Sequence, residues 1–66
     1  MFNYFVLVNG VRTDKNYGYA DAAHMSAFGL SLNPDTIATV IKEDDNGSEE
    51  IIGTYRAGEY GAAEEV

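Results

Sequence analysis

The order of apolar and polar residues predicts a β-hairpin at the start of the chain. Residues 1–8 alternate as a strand does, and one face would carry Phe2, Tyr4, Val6 and Val8. Asn9-Gly10 follows, and this dipeptide beside strand-like runs is a strong signal for a type I′ turn. Residues 11–14 are then predicted to form a short polar edge strand, with Val8 opposite Val11, Leu7 opposite Arg12 and Val6 opposite Thr13.

From residue 19 to about residue 28 the pattern changes to that of an alanine-rich helix. Gly18 or Asn16 is the candidate N-cap, and Gly29 is expected to end the helix in a left-handed conformation. One side of this helix carries mainly small residues, which would let it lie close to a sheet. We therefore predict a core face made of Tyr19, Ala23, Ser26, Ala27 and Leu30.

The opposite side of the helix carries two large apolar residues, Met25 and Phe28, beside Asp21 and His24. Two interpretations stay open for this side. In the first, Met25 and Phe28 are exposed and form the apolar part of a partner-binding surface. In the second, the helix is rotated so that Phe28 enters the core, because a chain this small needs every large apolar side chain it has.

A second hairpin is predicted after the turn at Asn33-Pro34-Asp35, because residues 36–41 and 51–55 are rich in β-branched and aromatic side chains. The segment between them allows a two-residue loop, Asn46-Gly47, or a three-residue loop, residues 45–47, with a bulge at the glycine. The three-residue loop is preferred for the pairs it creates. These are Lys42 with Glu50, Ile41 with Ile51, and Ile37 with Tyr55.

The order hairpin, helix, hairpin predicts an α+β fold in which one helix packs on an antiparallel sheet of about four strands. Residues 1–57 are expected to form a single compact domain and residues 58–66 an acidic, flexible tail. Both faces of the sheet would carry apolar groups, so its uncovered face is expected to pair with a second copy or with a partner. The two alternative sets are Val6, Val8, Val40 and Ile52, or Phe5, Leu7, Ile41 and Ile51.

The composition of the chain indicates the cellular compartment in which it functions. Sixty-six residues without a cysteine indicate one domain in a reducing compartment, so we expect a cytoplasmic protein. The longest apolar run, residues 4–8, is far shorter than the roughly 20 residues that cross a bilayer. No membrane segment is predicted.

The net charge of the chain restricts the classes of partner that it is expected to bind. Eleven acidic residues against four scattered basic ones give a net charge of −7, so direct binding to nucleic acid or to an anionic membrane is not expected. Glu43 and Glu49 would face each other across the second hairpin, and such a like-charge pair costs roughly a few tenths of a kcal/mol. A tip selected for stability alone would not carry it. The acids of the tip are Glu43, Asp44, Asp45, Glu49 and Glu50.

The residue inventory offers no catalytic, metal or cofactor motif. His24 is the one histidine, and no serine or cysteine near it has the setting of a nucleophile. The acidic segment does not fit a calcium loop, since aligning Gly47 with the glycine of that loop puts Lys42 at the first ligand position and Gly53 at the last. The glycines form no phosphate-binding loop. We predict a protein that is not an enzyme and holds no metal or cofactor.

The segment Ala38-Thr39-Val40-Ile41-Lys42-Glu43-Asp44-Asp45-Asn46-Gly47-Ser48-Glu49-Glu50 resembles the terminal hairpin of the uracil-DNA glycosylase inhibitors. In general style the chain is similar to small acidic inhibitors encoded by bacteriophages, including anti-CRISPR and anti-restriction proteins that imitate DNA. The acidic serine-isoleucine motif by which the glycosylase inhibitors engage their enzyme has no counterpart here, so no contact residue is carried over. The resemblance implies an inhibitor of a nucleic-acid-processing complex, acting in a host cytoplasm.

Two functional hypotheses follow. In the first, the five acids of the tip engage a basic surface on a partner protein, with Met25 and Phe28 as apolar anchors. In the second, the acids only keep the protein soluble, and an apolar sheet or helix face makes it a structural or assembly module.

Overall fold

The computed structural model describes residues 2–61 and has an α+β fold, as predicted. A single antiparallel sheet has the strand order β2-β1-β3-β4-β5, so it contains five strands rather than about four. One helix covers one face of this sheet. No helix in residues 2–61 is long and apolar enough to cross a membrane. The elements are β1 (Asn3–Val8), β2 (Val11–Tyr17), α1 (Ala20–Ser31), β3 (Ile37–Glu43), β4 (Glu49–Arg56) and β5 (Glu59–Gly61).

The first hairpin has the predicted turn. Asn9 and Gly10 both have positive φ, 51° and 87°, as a type I′ turn requires. Val8 pairs with Val11 and Leu7 with Arg12, but the register then shifts, so β2 continues to Tyr17 instead of ending at residue 14. The predicted pairing of Val6 with Thr13 is replaced by a side-chain contact, in which the Thr13 hydroxyl donates to the Val6 carbonyl at 3.0 Å.

Asn9 also fixes the entry to β3. Its backbone N–H donates to the Ile37 carbonyl at 2.8 Å, and its side-chain Oδ1 accepts from the Ile37 N–H at 2.8 Å. Its Nδ2 donates to the Asp35 carbonyl at 3.3 Å. The first turn therefore holds the connector between α1 and β3, in addition to reversing the chain.

The helix runs past the predicted end at Gly29 to Ser31, and its C-cap is Leu32 in a right-handed conformation. A tertiary contact explains why the helix continues beyond Gly29. The buried Ser31 hydroxyl donates to the Phe28 carbonyl at 2.8 Å and accepts the Gly58 N–H at 3.2 Å. At the other end the N-cap is Tyr19, with no side-chain hydrogen bond, rather than Gly18 or Asn16.

Small residues form the contact between helix and sheet, as predicted. Ala23 and Ala27 are fully buried against Val6, Ala38 and Val40. The predicted core face is wrong at its two ends, because Tyr19 and Leu30 are 78% and 39% exposed. Ser26 is half-buried, and its hydroxyl accepts a hydrogen bond from the Tyr17 hydroxyl at 2.9 Å.

The sheet face away from the helix is covered in part by its own side chains. It carries the second of the two alternative sets, since Val6 and Val40 pack under the helix while Phe5 pairs with Ile41 on the other side. Phe5 and Ile41 are nevertheless only 2% and 4% exposed. The Arg12 guanidinium lies 3.9 Å above the Phe5 ring and donates to Asn16 Oδ1 at 2.9 Å. This cation–π contact thus covers part of the sheet face that the helix leaves open.

The second hairpin has the predicted three-residue loop and register at its tip. Gly47 has a φ of +84°, and the pairs Glu43–Glu49, Lys42–Glu50 and Ile41–Ile51 form. The register then shifts by one residue at Ile52. This bulge makes the predicted pair of Ile37 with Tyr55 wrong, because Tyr55 lies opposite Ala38 and Ile37 opposite Arg56.

A third hairpin adds the fifth strand. Ala57 and Gly58 have φ of 50° and 78° and link β4 to β5 in a second turn of the type I′ kind. The Tyr60 ring lies over Gly53, and its hydroxyl donates to the Ile52 carbonyl at 3.2 Å. β5 lies within the segment predicted as a flexible tail; residues 62–66 of that segment are outside the described residues.

Replacing Gly53 with alanine should displace Tyr60 and weaken the attachment of β5. A Cβ at this position would lie 2.6 Å from Tyr60 Cε1 and 3.1 Å from His24 Cε1. We expect Gly53→Ala to lower the free energy of unfolding by about 1–3 kcal/mol in denaturant titrations.

Gly29→Ala is the matched control, since nothing lies within 4 Å of a Cβ there and the position is helical. That change should stabilise the protein by about 0.5–1 kcal/mol. Adding Tyr60→Ala to Gly53→Ala should cause little further loss; a full additional loss would show that Tyr60 is not the group displaced.

Candidate functional site

The acidic tip of the β3–β4 hairpin is a fixed loop. The backbone bonds Gly47 N–H to Asp44 carbonyl and Asp44 N–H to Ser48 carbonyl, both 3.0 Å, close it. Asp44 Oδ1 also accepts the N–H groups of Asn46 at 2.9 Å and Ser48 at 3.0 Å. Asp44, predicted as a recognition residue, therefore uses its carboxylate to hold the loop in shape.

The remaining acids of the tip point to different sides. Glu43 and Glu49 are directly opposed on the sheet face away from the helix, so their Cβ atoms lie about 4.5–5.5 Å apart. Glu50 pairs with Lys42 on the helix side, where the Lys42 ammonium lies 4.2 Å above the Phe2 ring. Asp45, Glu49 and Glu50 are exposed and Glu43 is half-buried. The tip is thus a negative projection with one side partly neutralised.

The distribution of the tip carboxylates over two faces of the hairpin bears on metal binding. Glu43 and Glu49 share one face of the hairpin and Glu50 lies on the other, so these three carboxylates do not converge on one ion. Among residues 2–61 no group of three or more His, Cys, Asp or Glu side chains is arranged to hold a metal.

A second candidate surface is an open groove between the helix and strand β4. It is about 280 Å³ in volume and is lined by His24, Met25, Phe28 and Tyr55. Met25 is 75% exposed and Phe28 is 45% exposed, so Phe28 lies at the surface and does not enter the main core. Of the two interpretations left open by the sequence, the geometry agrees with the one that leaves these residues accessible.

Edge-to-face aromatic contacts form the floor of this groove. The Tyr55 ring centroid lies 6.4 Å from Phe28, 5.8 Å from His24 and 5.2 Å from Tyr60. Tyr55 and His24 are also hydrogen-bonded, with 2.9 Å between the hydroxyl oxygen and Nδ1. Burial, and to a lesser extent the neighbouring Tyr60, raise the pKa of the Tyr55 hydroxyl above its usual value of 10.0.

The acidic tip and the groove are separate surfaces. The tip includes the first two residues of β4, Glu49 and Glu50, whereas Phe28 lies beside Gly58, just after the last residue of β4. The strand from Glu50 to Arg56 spans about 20 Å at roughly 3.3 Å per residue. The structure brings Met25 and Phe28 together and the five acids together, but it does not join the two sets.

Sequence reasoning missed three members of the second surface. The sequence places His24 beside Met25 and Phe28 on the helix but indicates no role for it, and it does not assign Tyr55 or Tyr60 to a site. No local sequence pattern indicates that Tyr55 belongs to this surface, because Tyr55 reaches the helix side only through the bulge at Ile52. Tyr60 reaches it through a strand that was not predicted.

In comparisons with protein-family models, with curated proteins and with solved structures, the chain matches none. What either surface can do therefore has to be inferred from its own geometry.

Asp44→Ala should destabilise the tip. Two backbone N–H groups would lose their acceptor, and we expect the free energy of unfolding to fall by about 1 kcal/mol in denaturant titrations. Asp44→Asn keeps an oxygen acceptor and removes only the charge, so it should cost clearly less. Equal losses for the two variants would mean that the charge of Asp44, and not its hydrogen bonds, stabilises the loop.

Alkaline pH should destabilise the fold through Tyr55. Its pKa is raised in the folded protein, so the folded state holds this proton more tightly than the unfolded state does. The corresponding stability is fully present below pH about 10 and is lost as the pH rises through the folded pKa. Thermal unfolding at several alkaline pH values should show a smaller pH-dependent loss for Tyr55→Phe than for the wild type. An identical loss would contradict the assignment to Tyr55.

Proposed function

We propose that this chain is a non-enzymatic protein-binding module that blocks a basic, nucleic-acid-binding surface on a partner. The acidic tip would supply the recognition charges, through Glu43, Asp45, Glu49 and Glu50, with Asp44 holding their loop in position. As in the phage-encoded inhibitors that the chain resembles, the place of action would be a host cytoplasm. The partner would be part of a nucleic-acid-processing complex.

The observation that carries this proposal is the pair Glu43–Glu49. Two carboxylates in direct cross-strand opposition destabilise a hairpin, and a neutral pair at these positions would be more stable. Closely spaced negative charge is also what a nucleic-acid duplex presents, with one phosphate on each strand per roughly 3.4 Å of helix axis. The pair thus costs stability and creates a feature that a phosphate-binding groove would recognise.

The fixed loop strengthens the argument. Binding orders the groups that take part, and a surface already ordered before binding loses less entropy. The Asp44 side chain and two backbone hydrogen bonds hold the tip in one conformation. The backbone positions that carry these side chains would therefore be set before a partner binds, which lowers the entropy cost of docking.

The net charge of −7 adds a kinetic effect. It would speed encounter with a basic partner over long range and would make the encounter sensitive to salt. The same charge disfavours direct contact with nucleic acid, so the proposed action is competition with nucleic acid for the partner.

The alternative is a structural or assembly module. The exposed Met25 and Phe28 in the groove favour this reading, since exposed methionine and aromatic side chains mark contact surfaces. The open sheet face favours it less, because Arg12 already covers Phe5.

Reversing two charges tests the proposal. Asp45→Lys with Glu49→Lys changes the net charge from −7 to −3 and leaves Asp44 in place. We expect this variant to lose at least about tenfold in affinity for a basic partner, since attraction becomes repulsion. Its stability should be unchanged or slightly higher, because Glu49→Lys removes the like-charge pair.

The matched control is Asp14→Lys with Asp35→Lys, which makes the same charge change at exposed positions away from the tip. Each protein would be immobilised and exposed to nuclease-treated bacterial lysate at low and moderate salt, followed by elution with a short DNA duplex and mass spectrometry. The proposal expects a basic nucleic-acid-binding protein that the wild type and the control retain, that the tip variant does not, and that the duplex releases. Retention by the tip variant would contradict it.

A further inference from the structure

The exposed apolar groups of the helix form one continuous stripe. Met25, Phe28 and Leu32 are spaced i, i+3 and i+7, and they are 75%, 45% and 60% exposed. This spacing places them on one side of the helix over about 10 Å of its length. On the sheet side the stripe is bordered by Tyr55, which lines the groove, and by the 55%-exposed Tyr60. We call this surface the helix stripe.

The size of the groove at its centre indicates what it can hold. Its volume of about 280 Å³ lies just below the roughly 300–1,000 Å³ of small-molecule and cofactor sites, and it is open to solvent. Its lining combines a flexible methionine with aromatic rings, a combination that adapts to one large apolar side chain. The groove therefore suits a single anchor residue of another polypeptide better than it suits a metabolite.

Charge decides between the polypeptides that could supply the anchor. Two copies of this chain would each bring a charge of −7 to a shared interface, and this repulsion disfavours a second copy. The local charge around the stripe has the same sign. Asp21 lies one turn before Met25 on the same side of the helix. Glu59 and its cross-strand partner Arg56 point to the other face of the sheet, because Tyr60 and Tyr55 beside them face the helix. A cationic segment fits these surroundings.

We propose that the helix stripe binds a basic peptide segment, whose large apolar side chain enters the groove while a Lys or Arg residue faces Asp21. The inference rests on the proposed function for the sign of the partner. It adds a second contact, at the opposite end of β4 from the acidic tip. A partner that touches both surfaces gains affinity from burial as well as from charge, and it becomes less sensitive to salt than one held by the tip alone.

Two synthetic peptides of equal length and identical leucine spacing serve as probes, one with lysine and one with glutamate at every polar position. Binding to the full chain would be followed by amide chemical shifts in NMR titrations. The proposal expects the lysine peptide to shift the resonances of residues 24–32, 55 and 60, and the glutamate peptide to leave them unchanged. Equal binding of both peptides would overturn the basic character of the ligand.

Met25→Ser with Leu32→Ser removes the two most exposed members of the stripe, so the fold should survive, which thermal unfolding checks. This variant should bind the lysine peptide at least tenfold more weakly than the wild type. Tyr19→Ser with Leu30→Ser is the matched control, since both residues are exposed near the ends of the same helix but outside the groove. An equal loss with the control variant would overturn the site.

The tip variant Asp45→Lys with Glu49→Lys separates this inference from the proposed function. Loss of peptide binding in the tip variant alone, with shifts confined to the tip, would overturn the helix stripe and leave the acidic tip as the binding surface. Loss in the stripe variant alone would support the stripe, and the proposed role of the tip would still be decided by release of the partner with the DNA duplex. Concentration-dependent dimerisation of the wild type that Met25→Ser with Leu32→Ser abolishes would overturn the choice of a basic peptide in favour of a second copy.

Discussion

The close approach of α1 to the sheet is the constraint on which the rest of the molecule depends. Ala23 and Ala27 lie directly on Val6, Ala38 and Val40, and side chains this small leave no room between the two layers for larger ones. The large apolar residues of the helix are consequently held at its flank, where they form the helix stripe. The placement of alanine against the sheet therefore determines both the close packing of the core and the exposure of the large apolar side chains of the helix.

The β-bulge in β4 likewise affects several parts of the structure. The extra residue at Ile52 brings Tyr55 to the helix side and leaves the Ile52 carbonyl to accept the Tyr60 hydroxyl. Gly53 follows at once and supplies the flat position on which the Tyr60 ring rests. The position of Tyr55 in the aromatic floor of the groove, where burial raises its pKa, depends on this short interruption of the ladder.

The sequence predicted well what is decided locally and poorly what is decided by distant contacts. Both Asn-Gly turns and the opposition of Glu43 and Glu49 follow from the backbone preference of a few adjacent residues. The helix passes Gly29 because Ser31 is bound by Gly58, which is 27 residues away. For the site, the acids of the tip were found from their density, but the structural use of Asp44 was not. The groove was found only through Met25 and Phe28, because Tyr55 reaches it through the bulge and Tyr60, which packs on Tyr55, belongs to β5.

The three hydrogen bonds of Asn9 bear on how the chain folds. A two-residue hairpin closes from neighbouring residues in roughly 1–10 μs, whereas contacts between distant segments must await the closure of a long loop. Asn9 sits in the fast-forming first turn and binds residues 35 and 37, across a separation of 26 to 28 positions. The earliest local structure thus already displays the donors and acceptor that receive the start of β3. We expect the central pairing of β1 with β3 to begin at this point and to extend along β3 toward Glu43, where it meets the β3–β4 hairpin, which closes from its own neighbouring residues.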